Sequence, residues 1–107
     1  MAPENAYVVV MTTAGSAEAA QKIAEALVSG RKAACVQMLP VASCYVWNEK
    51  IMNEPEVLMV IKTRRSLYEE VEQLIRAMHS YETPEIVCLP ILKGAAAYLD
   101  WISSVTA

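Results

Sequence analysis

The chain has one histidine, His79, and it stands beside Met78 and just ahead of Tyr81, Glu82 and Glu85. Imidazole is the commonest metal ligand at neutral pH, and a thioether such as Met78 suits Cu(I). One His with one Met does not close a coordination sphere. His79 also reads as an imidazole that ends a helix near the negative end of its dipole, or as a proton-sensitive hydrogen-bonding group. Glu82 and Glu85 flank Pro84, whose ring fixes the loop. Two carboxylates held near one another can do acid/base work or bind a hard divalent cation. The alternative is that Lys62, at the end of a strand, forms an ion pair with Glu82 or Glu85 and ties the loop to the sheet. There is no Ser-His-Asp set, no Cys-His pair with an orienting group and no Gly-rich phosphate loop. A non-enzymatic role is expected.

Composition narrows the class. At 107 residues the chain has the size of one domain, residues 1–107. Apolar residues make up 55% and charged ones 20%, an apolar excess for a soluble chain that is expected to cover an interface. No apolar stretch approaches the length of a membrane span. The N-terminus carries no recognisable secretory signal, so the cytoplasm is the expected compartment. Net charge is −3 without the basic stripe of a nucleic-acid binder. The three cysteines, Cys35, Cys44 and Cys88, form no C-x-x-C pair, and most are expected to be buried as small hydrophobes.

The elements that must position these residues follow from periodicity. Residues 1–6 read as a loose lead-in. Tyr7 to Thr12 is an apolar β-branched run, a strand covered on both faces. A turn at residues 13–15 leads to Ser16 as N-cap of a helix burying Ala20, Ile23, Ala24, Leu27 and Val28, with Gly30 in the C′ position. Strand character returns at Ala33 to Met38, and Pro40 interrupts it. Ser43 to Thr63 then reads as a long hairpin turning at Asn48-Glu49. From Lys50 to Thr63 the returning arm would reach roughly 45 Å at ~3.3 Å per residue. Such a hairpin overhangs any sheet a chain of this size can make, so its tip needs another surface. Tyr45 and Trp47 alternate onto one face of it as an aromatic interface patch.

Ser66 and Glu69 have the spacing of a capping box for a second helix with a stripe of Leu67, Val71, Leu74, Ile75 and Met78. Ile86 to Ile91 is the last strand, and a helix after Gly94 buries Tyr98, Trp101 and Ile102. The order predicts an α+β fold: a ferredoxin-like βαββαβ sandwich plus a C-terminal helix, with a long β-hairpin between strands 2 and 3. Pro40 and Pro90 place the second and fourth strands at the edges. Open edges and an overlong hairpin together predict a ring-like homo-oligomer built by strand addition between subunits.

Five short motifs in register, Ala33-Ala34-Cys35-Val36, Ser43-x-Tyr45-x-Trp47, Glu56 with Lys62-Thr63, His79-x-Tyr81-Glu82-x-Pro84-Glu85-Ile86 and Tyr98-Leu99-x-Trp101, resemble the CutA divalent-cation-tolerance proteins across nearly the whole chain. The resemblance implies a homotrimer, similar in shape to the PII signalling proteins, with a role in tolerance of copper and other divalent cations. Tyr45, Trp47 and Trp101 are then expected at the trimer interface. Cys35, Lys62, Tyr81, Glu82 and Glu85 are expected to line inter-subunit clefts, and His79 to be the candidate ligand for Cu²⁺ or another divalent cation. The alternative is a PII-like signalling or scaffold trimer whose clefts take a small molecule or a protein partner. Departures stand out at four positions. Glu49 replaces the usual hairpin Gly, and Ser80 the usual Pro. Thr12 and Met78 stand where the copper pattern of some bacterial members has Cys and the first of two His.

Overall fold

The computed structural model describes residues 6–107, so most of the expected lead-in lies outside the described residues. The chain runs β1 (Tyr7–Ala14), α1 (Ala17–Ser29), β2 (Cys35–Trp47), β3 (Lys50–Arg64), a 3-10 turn (Arg65–Leu67), α2 (Tyr68–Met78), β4 (Ile86–Pro90) and α3 (Ala96–Val105). The four strands form one antiparallel sheet in the order β2-β3-β1-β4. This is the expected ferredoxin-like α+β sandwich. The proline-free apolar runs Tyr7–Thr12 and Val57–Thr63 are central, Pro40 and Pro90 lie in the edge strands β2 and β4, and Pro55 of β3 falls beyond the end of β1, where β3 pairs with β2 alone.

The core lies between α1, α2 and one face of the sheet. Val8 and Val10 of β1 and Met59 and Ile61 of β3 point into it, against Ala20, Ile23, Ala24 and Leu27 of α1 and Val71 and Ile75 of α2. Alternation sends the intervening residues to the opposite face. There Val9, Met11, Leu58 and Val60 are half-buried, while Leu39, Val87 and Leu89 are exposed. Among the described residues α3 is the helix that lies against that face, held where Ser103 Oγ meets Tyr7 Oη at 2.7 Å. A latch at the same end secures the last residues: Arg64 donates to Thr106 Oγ1 at 2.9 Å and to the Ala107 carbonyl.

Several details differ from the expectations. Pro40 does not interrupt β2; it sits opposite Val57 in an unbroken edge strand. β1 continues through Thr13 and Ala14, both buried. Ser16 caps α1 as expected, accepting from Ala19 N–H at 3.1 Å. Gly30 has φ −80°, and the left-handed residue is Arg31 at φ 59°. No capping box forms at Ser66, which falls in the 3-10 turn, so α2 begins at Tyr68 without a side-chain cap. Val28 and Met78 lie at the margins of their apolar stripes and are exposed. Of the α3 residues expected to be buried, Ile102 is, whereas Tyr98 and Trp101 remain about two-fifths exposed and stack on each other at 5.5 Å between ring centroids.

The hairpin is as long as the sequence indicates. β2 and β3 pair from Cys35↔Lys62 to Trp47↔Lys50, whereas β1 reaches only Ala14↔Val57. Lys50 to Glu56 therefore extends as a two-stranded arm of about 23 Å at ~3.3 Å per residue. Its tip exposes Val46 (70%), Trp47 (42%) and Ile51 (73%). Asn48 (φ 50°) and Glu49 (φ 65°) both take the left-handed conformation of a two-residue primed turn. Asn tolerates it; Glu is strained there by about 1–2 kcal/mol. Glu49→Gly is accordingly expected to raise stability by about 1 kcal/mol once the greater freedom of the unfolded glycine is offset. Denaturant midpoints of the two proteins check this, and an unchanged or lowered midpoint would contradict it.

Candidate functional site

At the base of the arm the loop of residues 79–85 folds against the end of β1 and the near half of the hairpin. A cavity of about 700 Å³ opens there, with Thr13 at its floor. Ser43, Tyr45, Trp47, Met52, Glu54 and Glu56 line the hairpin side, and Tyr81, Glu82, Pro84 and Glu85 the loop side. Strand alternation explains the first set, because Ser43 and Tyr45 of β2 share a face with Glu54 and Glu56 of β3 through the pairs Ser43↔Glu54 and Tyr45↔Met52.

His79 sets the loop. Its Nε2 meets the Thr13 carbonyl, and its Nδ1 accepts from the Tyr81 N–H at 3.1 Å. A carbonyl can only accept and an N–H can only donate, so the ring is held as the neutral Nε2–H tautomer. Both nitrogens are engaged, which leaves no lone pair for a metal in this arrangement. The imidazole also stacks on Tyr81 with centroids 4.5 Å apart. Tyr81 in turn reaches across to donate its hydroxyl to Glu56 Oε2 at 3.0 Å. Gly15 permits this path, since a Cβ there would stand 3.3 Å from Tyr81 Oη. Burial first, and then donation to Glu56, push the Tyr81 phenol up to about 12. Tyr45 is raised in the same way, first by burial and then by its bond to Glu54.

The expected site residues thus divide. Tyr81, Glu82 and Glu85 line one cavity and His79 braces it. Lys62 and Cys35 do not join them within the chain. They pair with each other across β2 and β3, six residues along β3 from Glu56, or roughly 20 Å. Lys62 donates to Gln37 Oε1 instead of pairing with Glu82 or Glu85. Cys35 is half-buried beside Tyr98, whose phenol is raised by burial and then by the nearby thiol. Cys44 and Cys88 are exposed, contrary to expectation: Cys44 lies on the two-stranded arm beyond the end of β1, and Cys88 lies on the edge strand β4. Thr12 is fully buried on the core side, and its Oγ1 has no hydrogen-bond partner. Among the described residues no group of three or more His, Cys, Asp or Glu converges as a ready-made metal site. Sequence reading missed Glu54 and the importance of Glu56. The available signal was the alternation Glu54-x-Glu56, which puts two carboxylates on one face of a strand.

A ferredoxin-like sandwich with an acidic, aromatic-walled cavity at the foot of a long hairpin defines a class of small α+β proteins that carry their site outside the core. Residues 8–105 match the family model of the CutA1 divalent ion tolerance protein, and the chain belongs to that family. It is 41% identical over 95 residues to the divalent-cation tolerance protein CutA of Thermus thermophilus, covering 88% of this chain and 92% of that one. The solved Thermus thermophilus CutA1 structure superposes with a TM-score of 0.91 at 39% identity, covering 94% of this chain and 99% of that one. The chloroplastic CutA protein of Arabidopsis thaliana is 39% identical over 100 residues, which cover 92% of this chain and only 55% of that protein.

Two outcomes follow from the His79–Tyr81–Glu56 chain. His79→Ala strands the Thr13 carbonyl and the Tyr81 N–H, and should cost about 1–3 kcal/mol. Amide exchange should then accelerate across residues 80–85, and unchanged protection there would contradict the bracing role. The second outcome concerns alkaline pH. A phenol whose folded value is raised from 10 to about 12 holds its proton when the unfolded phenol has lost it. Its contribution to stability is therefore complete below pH 10 and is lost as pH rises from there towards 12. Ultraviolet titration should show one tyrosine returning towards the ordinary range in Glu56→Gln.

Proposed function

We propose that the chain acts without catalysis in divalent-cation tolerance, as a homotrimer whose acidic cavity gathers divalent cations, copper among them. The relatives named for divalent-cation tolerance supply the general role. The observation that carries the local reading is the charge of the cavity. Glu54, Glu56, Glu82 and Glu85 line it, and among the described residues no lysine or arginine does. A concave surface lined by one sign of charge raises the local concentration of the opposite ion. Carboxylates are oxygen donors suited to hard divalent cations, and His79 serves by holding Tyr81 and the loop in place rather than by ligation.

Assembly is supported by what the single chain leaves bare. The second sheet face offers Leu39, Val87 and Leu89, and the hairpin tip offers Val46, Trp47 and Ile51. Patches of this kind mark interaction sites in soluble proteins. In a ring of identical subunits the arm of one copy would lie over its neighbour's sheet, with Tyr45, Trp47 and Trp101 in the contact. Cys35 and Lys62 of one copy could then approach the cavity of the next. Among the described residues no helix is long and apolar enough to cross a membrane. The relatives' descriptions include chloroplastic and periplasmic proteins; a cytoplasmic placement belongs to this proposal.

Calorimetric titration with Cu²⁺ and with oxygen-preferring Mn²⁺ tests the reading. Saturable binding of both is expected, weakened about tenfold in Glu56→Gln and persisting in His79→Ala. No saturable binding, or loss of binding only on removal of the exposed Cys44 and Cys88 thiols, would overturn the carboxylate site.

A further inference from the structure

The two ring nitrogens of His79 hold different partners, and they respond differently to a proton. Nδ1 accepts from the Tyr81 N–H at 3.1 Å, which it can do only while it carries no hydrogen of its own. Nε2–H donates to the Thr13 carbonyl in either charge state of the ring. Protonation therefore keeps the hold on β1 and destroys the hold on the loop, leaving two N–H groups aimed at each other. Turning the ring over brings no relief, because an imidazolium has no acceptor on either side.

The groups around the ring come from four elements. On the loop, Tyr81 stacks against it with centroids 4.5 Å apart, and Glu82 and Glu85 line the adjoining cavity. From the hairpin, Glu56 is one hydrogen bond away through the Tyr81 hydroxyl, with Glu54 and Tyr45 beyond it. On α2, Arg76 precedes His79 by three residues and is paired with Glu72 at 3.7 Å. On α1, Glu18 and Lys22 are paired with each other. Among the described residues, the charges outside ion pairs near the ring are thus carboxylates, and a positive ring meets no free like charge. What opposes it is the Tyr81 N–H. Tyr81 keeps its own proton throughout, since burial first and then Glu56 push its phenol up to about 12.

We propose that His79 is a proton-operated latch: neutral, it fastens residues 80–85 over the foot of the hairpin, and protonated, it stays on β1 and releases them. When the Tyr81 backbone moves off, its hydroxyl leaves Glu56. The wall carrying Tyr81, Glu82 and Glu85 then withdraws from the wall carrying Glu54 and Glu56. The core does not follow, because none of its members belongs to this chain of bonds. Histidine is the side chain that changes charge between about pH 5 and 8, whereas carboxyl groups ordinarily do so near pH 4. The sign is fixed by the geometry: the bond to the Tyr81 N–H is made above the titration of the ring and lost as pH falls through it. The latch needs no cation in the cavity, so it stands apart from the reading that one is gathered there.

Nuclear magnetic resonance of the metal-free wild-type protein between pH 8 and pH 5 tests it. The carbon-bound ring protons of His79 report its charge. Amide exchange, corrected for its intrinsic pH dependence, reports the loop. Protection across residues 80–85 is expected to fall about tenfold on acidification, the loss of one hydrogen bond. The midpoint should coincide with that of the ring, with β1 and β3 unchanged. His79→Asn supplies an acceptor that does not titrate and that reaches the N–H two residues on, so its loop should stay protected at both ends of the range. Loop protection that ignores the titration of the ring, or a ring that stays neutral down to pH 5, would overturn the proposal. The same pH dependence in His79→Asn would do so too, by assigning the transition to the carboxylates. Where His79→Asn does not fold, agreement or disagreement of the two wild-type midpoints decides.

Discussion

A four-stranded sheet with two apolar faces and helices enough for only one of them is the constraint on which this molecule turns. α1 and α2 cover Val8, Val10, Met59 and Ile61. The opposite face receives α3 at one end and nothing over Leu39, Val87 and Leu89. The same imbalance recurs along the hairpin. β2 and β3 continue together past the last residue of β1, so their far halves have no third strand and no helix. A two-stranded ribbon is marginal in water by itself. Burial of bare apolar surface, at roughly 25 cal/mol per Å², is the driving force available to fix the arm, and in the proposed homotrimer neighbouring copies supply the cover.

The candidate site is a by-product of where the third strand stops. β1 ends opposite Val57, and the next residue outward, Glu56, is the first that the arm must shelter alone. The loop of residues 79–85 provides the shelter through His79, which grips the end of β1 by the Thr13 carbonyl and the loop by the Tyr81 N–H. A residue with the credentials of a metal ligand thus acts as a brace. The cavity it maintains is acidic on both sides and aromatic at its hairpin wall, so its electrostatics favour cations.

Much of this was legible in the sequence because it rests on local rules. Apolar runs free of proline mark β1 and β3 as central, and Pro40 and Pro90 mark the edges. The arm's length could be counted from Lys50 to Thr63. Less legible was whatever depends on the third dimension. Ser66 and Glu69 have capping-box spacing, yet the chain leaves β3 through a 3-10 turn that displaces Ser66 from the cap. Pro40 looks like a break, yet an edge strand tolerates it. The pairing of Lys62 with Gln37 instead of a loop glutamate follows from β-register, which short motifs do not encode. Tyr98 and Trp101 fit an apolar helix stripe, but of the three expected residues only Ile102 is buried against the sheet, and the two rings stack on each other half-exposed.

Sedimentation velocity of the wild-type protein at micromolar concentration tests most directly whether other copies cover the bare sheet face and arm. A single species with the mass of three chains is expected. A well-folded species with the mass of one chain would contradict it, because the arm and the open face would then be stable in water with nothing upon them.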